Sequence, residues 1–183
     1  MIIDKGRKFE KPDAGVFLGT IIDVVELGLV ASKNPKFPDP QVRVRIVWVL
    51  DRNDSEGHPY RIIEQPTAKL SDGGGNTKKS RLYEICEGVF QGAPPVPFNT
   101  EDLVGRSNAL FLAKEGEFTN IKGFMPVPAG KTPPTAPAGF IRDKDDPKKI
   151  AARAAAKVGG TAVQTQTHAA SAAVAVDDSE IPF

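Results

Sequence analysis

The sequence predicts a mainly β protein: a small five-stranded barrel with one helix between its third and fourth strands, followed by a tail with no core of its own. Three observations carry that prediction. Three β-type runs precede residue 70, and one amphipathic helical stretch and a hairpin pattern follow them, with turn residues at the joints. Beyond residue 125 the composition shifts to Pro, Ala, Thr and Gln. At 183 residues the chain has room for one ordinary domain and a remainder.

The first strand is read from Gly15 to Leu27, a run rich in Val, Ile and Phe. Gly19 falls inside it, where a strand bends or another backbone comes close. A loop with three prolines, Asn34 to Pro40, leads to the second strand, Val42 to Leu50, which alternates at first and then turns apolar on both faces. Asn53 to Gly57 is turn material, and Tyr60 to Ala68 is the third strand. Asn76 or Thr77 is placed to cap a helix running to about Glu87, with Leu82, Ile85, Cys86 and Val89 as its apolar stripe and Gly88 as its stop. Ser107 to Ala113 and Glu117 to Met125 complete the set as a hairpin. Three strands, a helix and two strands is the order of the OB-fold, and a bent first strand that closes the barrel gives Gly19 a purpose.

The domain boundary is expected near Met125, giving a body at 1–125, a flexible linker at 126–176 and an acidic tip at 177–183. The linker opens with prolines that suit neither a sheet nor a helix interior. Lys148 to Lys157 favours helix but has almost no apolar face, and Thr161 to Val176 cannot offset the entropy of ordering. As a flexible coil, Gly130 to Val176 would reach roughly 35–40 Å.

Net charge is only +1, an average over unlike segments. Residues 1–130 carry 17 basic and 17 acidic side chains, residues 131–168 carry seven and three, and the rest carries only the three acids of the tip. Cys86 is the sole cysteine, which excludes an internal disulfide and a cysteine-built zinc cage. No apolar run has the length of a membrane span and the N-terminus lacks a signal-peptide layout, so a reducing cytoplasm is the expected compartment.

Single strands are bound by a cationic groove interleaved with aromatic faces, since every base offers a π-face. Arg43 and Arg45 share one face of the second strand, opposite the apolar set, and suit phosphates or simply a solvated surface. Trp48 has the parity of the apolar set, so core and stacking platform both remain open for it. Arg61, Lys69, Lys78, Lys79 and Arg81 form the densest basic set, and cations at a helix start oppose the helix dipole, which points to a phosphate partner or to solubility alone. Tyr60, Phe111 and Phe118 are further stacking candidates, and Lys122 adds charge beside them. Enzyme readings find little support. Asp72 to Ser80 superficially resembles a phosphate-binding loop but has Lys78-Lys79-Ser80 where Gly-Lys-Ser/Thr is required. His58 has no nucleophile near it in sequence, and no metal-ligand cluster or cofactor motif emerges.

The chain ends on Asp177-Asp178-Ser179-Glu180-Ile181-Pro182-Phe183. Such a segment makes sense as a ligand: the Phe183 ring fills a pocket, a basic residue pairs with its carboxylate, and the acids attract at longer range. It resembles the acidic tip of bacterial-type single-stranded DNA-binding proteins. The body in turn resembles the OB-fold single-stranded DNA-binding proteins encoded by bacteriophages. That likeness rests on the Gly15 to Gly28 strand, Val47-Trp48-Val49-Leu50, Leu82 to Gly92, Asp102-Leu103-Val104-Gly105 and Phe118-Thr119-Asn120-Ile121. Gly73-Gly74-Gly75 departs from it. The resemblance implies a non-catalytic protein, without cofactor, that coats single-stranded DNA during replication or recombination in a bacterial host's cytoplasm. Asp177, Asp178, Glu180, Ile181, Pro182 and Phe183 would then recruit replication proteins. A protein-interaction adaptor, an RNA binder and a strand-annealing protein are the alternatives, and a homo-oligomer stays open.

Overall fold

The computed structural model describes residues 10–31, 39–75 and 77–152. The acidic tip, the capping candidate Asn76 and most of the three-proline loop lie outside the described residues. Five strands form one antiparallel sheet: β1 (Gly15–Val30), β2 (Gln41–Asn53), β3 (Pro59–Glu64), β4 (Ser107–Glu115) and β5 (Phe118–Met125), in the spatial order β3-β2-β1-β4-β5. The helix α1 (Arg81–Phe90) lies between β3 and β4 in sequence, and a short 3₁₀ turn at Thr100–Leu103 precedes β4. The order of elements is the expected one.

The closed barrel is not: no hydrogen-bonded ladder joins β3 to β5 among the described residues, and the sheet is open. Its two edge strands are instead spanned by a side chain. Arg81, the first residue of α1, donates from Nη2 to Glu64 Oε1 at the end of β3 (2.5 Å) and to the Ile121 carbonyl of β5 (2.7 Å). The guanidinium thus occupies an acceptor that strand pairing would otherwise use.

Alternation on β2 separates the two faces. Val44, Ile46, Trp48 and Leu50 point into the main core with Ile21, Ile85 and Leu110. Val47 and Val49 point the other way and join Ile22 on the outer face. The core side of α1 is Leu82, Ile85, Cys86 and Val89, as the spacing predicted. Burial pushes the Cys86 thiol up to about 12, so it packs as a small apolar group.

Local details differ from the sequence reading in four places. The helix starts later: Ser80 is its N-cap, with Oγ accepting from Tyr83 N (3.3 Å), because Asp72 and Gly73 already hold the preceding residues in a tight loop. Gly88 does not stop the helix but lies within it, since a Cβ there would come 2.4 Å from Phe124 Cβ; the stop is Gln91, in the left-handed region at φ 55°. Gly19 is a point of close approach, where a Cβ would meet Leu110 Cδ1 at 2.5 Å. The bends of β1 lie further along, as register shifts at Ile21/Asp23 and Glu26/Gly28. The third strand ends at Glu64 rather than Ala68, leaving only a single bridge from Thr67 to Arg43.

The largest difference is the boundary. The first compact unit runs from Met1 to Asp146, not to Met125. Prolines do keep residues 126–137 out of the ladder, but a strap at 132–143 lies against the outer face of β1 and β2. Pro134 O accepts from Thr20 Oγ1 (2.6 Å), and Phe140 packs on Ile22, Val47 and Val49. Residues 147–152, in the second unit, are helical.

Candidate nucleic-acid interface

The register of the sheet decides which side chains share the outer face. Val47 pairs with Ile63 and Val49 with Arg61, so Arg43, Arg45, Val47, Val49, Arg61 and Ile63 project from one side of β2 and β3. Arg43 and Arg45 are half-buried. Arg43 donates from Nη1 to Gln65 O (3.2 Å), and Arg45 is ion-paired with Asp143 of the strap. The Nε of each is buried without a hydrogen-bond partner. Arg61 is exposed, with Cζ 5.6 Å from the centroid of the Phe140 ring. Lys69 is exposed at the exit of this region and makes no ion pair among the described residues. This half of the outer face is therefore cationic, with an apolar floor.

The strap is fixed by a set of charges that no local pattern signals. Asp23 is 1% exposed. It accepts from Arg142 Nε (3.2 Å) and from the Asp143 backbone N–H (3.0 Å). A buried carboxylate needs such partners, and both come from the strap. Arg142 also grips Glu101 with two parallel bonds, Nη1 to Oε2 (2.8 Å) and Nη2 to Oε1 (2.9 Å), and Lys144 adds a third contact (2.8 Å). Arg142 first, then Lys144, holds the Glu101 carboxyl down at about 2. Glu101 above all, then Asp23, raises the pKa of Arg142.

The remaining predicted residues fall elsewhere. Trp48 is fully buried on the inner face and presents no ring to a base, which corrects its place among the stacking candidates. Its parity with the apolar set persists because the β2 register shift lies beyond Val49. Tyr60 is half-buried against the core, and burial, with Glu10, Asp13 and Asp54 nearby, raises its hydroxyl pKa. Lys78 is exposed. Lys79 is held by both oxygens of Glu87 at 2.7 Å, and Arg81 is committed to Glu64, Glu84 and Ile121, so these two serve the fold more directly than a ligand.

Phe111, Phe118 and Lys122 belong to the β4–β5 side. Phe111 is 47% exposed and pairs directly with Val16. Phe118 is 65% exposed, with Lys11 Nζ 4.5 Å above its ring. The cations here are matched by acids: Lys122 with Glu115, and Lys114 with Asp13 (2.5 Å). The structure thus brings Arg43, Arg45 and Arg61 together and separates them from Phe111, Phe118 and Lys122. The sequence reading missed Phe140 and Arg142. The available signal was that Phe140 is the only aromatic residue between Phe124 and Phe183, set in a segment otherwise poor in large apolar side chains.

Compared with known proteins, the chain matches no family model, no curated protein and no solved structure. Among the described residues there is no cluster of three metal-ligating side chains and no helix long and apolar enough to cross a membrane.

Proposed function

We propose that this protein binds single-stranded DNA without sequence preference and without catalysis, as an OB-type protein of the bacteriophage kind. The observation that carries the reading is the outer face of β2 and β3, where Arg43, Arg45 and Arg61 project from one side over an apolar floor. Phosphates need the cations and unstacked bases need the apolar surface. The strand order, with β1 shared by β2 and β4 and a helix ahead of β4, supports the OB reading, and the Arg81 bridge between the edge strands would stand in for barrel closure. The acidic Ile-Pro-Phe terminus supports a second role, recruiting replication or recombination proteins to coated DNA, where a weak contact gains from high local concentration.

The test is fluorescence anisotropy of labelled oligo-dT, titrated with the full chain and with a truncation after Ala152, across a salt series. Binding by both, weakened by salt, supports the reading; no binding by either overturns it. Removing Asp177 to Phe183 should leave oligo-dT affinity within about twofold and abolish capture of replication proteins; loss of both activities together would refute that division of labour. A second reading, a protein-interaction adaptor, is favoured by the exposed Val16, Phe111 and Met125 on the charge-balanced side of the sheet. Its mark would be intact partner capture with no oligonucleotide binding.

A further inference from the structure

We infer that the strap completes a base-stacking subsite on this face, with Arg61 as the platform and Phe140 as the residue that holds it in place. The inference rests on the single-strand reading above and names where a base would lie. A sequence-tolerant binder needs a flat surface beside its cations. On the β2–β3 half of the outer face the strands supply no exposed aromatic ring: Trp48 is buried on the other side and Tyr60 packs against the core. The strap supplies Phe140 instead. Its ring packs on Ile22, Val47 and Val49, and Arg61 lies over it at 5.6 Å.

Arg61 is thereby held by a cation–π contact from one side while it remains exposed. Ile63, two residues along the same strand and 57% exposed, extends the platform with apolar surface. Arg43 and Arg45 border it, each with a buried Nε that lacks an acceptor. A base laid on Arg61 and Ile63 would have its phosphates within the field of these arginines. The ligand class is an unpaired nucleotide strand, read by its bases rather than by its sugar. The same position is poor for an anionic peptide, which would find charge but nothing planar to lie on the platform.

The experiment uses the full chain and two labelled strands of equal length, oligo-dT and an abasic deoxyribose-phosphate strand. The wild type should bind oligo-dT about tenfold or more tightly than the abasic strand, the stacking contribution. Phe140→Leu keeps an apolar group on Ile22, Val47 and Val49 but removes the ring, and should shrink that ratio severalfold with the salt slope unchanged. Arg61→Lys keeps the charge but loses the plane and should do the same. Because Arg61 is exposed, this variant carries the test if Phe140→Leu fails to fold. An unchanged ratio in Arg61→Lys and in a folded Phe140→Leu overturns the subsite while leaving single-strand binding intact. No binding of either strand by the wild type refutes the underlying reading instead. An oligo-U arm distinguishes the source: equal discrimination against abasic RNA supports base stacking, whereas discrimination confined to one sugar overturns recognition by the bases alone.

Discussion

Arg81 and Glu64 show how one residue pair can tie together two edge strands that share no ladder. Burial raises the Glu64 carboxyl while the guanidinium lowers it, and burial is the larger effect. Replacing Arg81 with Met would remove the one ion-pair partner that a largely buried carboxylate has among the described residues, and would release the Ile121 carbonyl. Breaking such a pair is costlier than never having it. Because Arg81 is itself partly exposed, the expected loss is about 2 kcal/mol, read as a shift in the urea midpoint. An unchanged midpoint would show that the bridge contributes nothing. Gly88 makes a second residue-level case. Ala normally stabilises a helix interior by about 1 kcal/mol over Gly. Here the added methyl would meet the Phe124 Cβ and ring, not a movable chain end, so Gly88→Ala should destabilise by about 2 kcal/mol or more. Thermal unfolding of the purified variant decides the sign. Neither residue could be assigned its role from sequence. Arg81 read as one cation among several, and Gly88 read as a stop, because both roles depend on β5 lying alongside α1.

The elements were largely legible where a period announces them. Alternation in β2 placed Arg43 and Arg45 opposite Val44 and Ile46, and the apolar spacing of Leu82, Ile85, Cys86 and Val89 gave the buried side of α1. The strap was not legible, because proline content reports the absence of a ladder and says nothing about packing. Its anchors are remote: Arg142 meets Asp23 from 119 residues away. The strap therefore belongs to the body, and a truncation at Gly130 should lose about 3–5 kcal/mol, having uncovered Ile22, Val47 and Val49 and left Asp23 without partners. A truncation after Ala152 should unfold like the full chain. The strap also makes stability pH-dependent. The Glu101 pKa is depressed in the folded state, to about 2 from an ordinary 4.5, so its contribution is fully present above about pH 4.5 and disappears as pH falls toward 2. Glu101→Gln should accordingly differ from wild type in melting temperature at pH 7, with the gap closing across that window. A constant gap would mean that Glu101 acts through packing rather than charge.

At the scale of the whole molecule, a net charge of +1 demands that any attraction for a polyanion be local. The structure narrows the source further than composition can. Lys79, Arg81, Lys114 and Lys122 are paired with carboxylates, and Arg45 with Asp143. That leaves Arg43 and Arg61 on the proposed face, and Lys69 at its exit, as cations without an ion pair among the described residues. Three unpaired cations along a single strand displace few counterions, so log K for oligo-dT should fall against log salt with a slope of about −2. The slope separates two accounts of the same affinity. A value near −2 with substantial binding remaining at high salt requires the apolar floor and the Arg61 platform to supply the rest. A slope of about −5 or steeper would require the paired lysines to abandon their carboxylates, or cations beyond the described residues to join in, and the β2–β3 face could not then be the whole site. Arg43→Gln should make the slope shallower by about 0.7, whereas Lys122→Gln, on the charge-balanced side, should leave it unchanged. If Lys122 moved the slope and Arg43 did not, the strand would lie across β4 and β5, beside Phe111 and Phe118, and the strap would be a structural element alone.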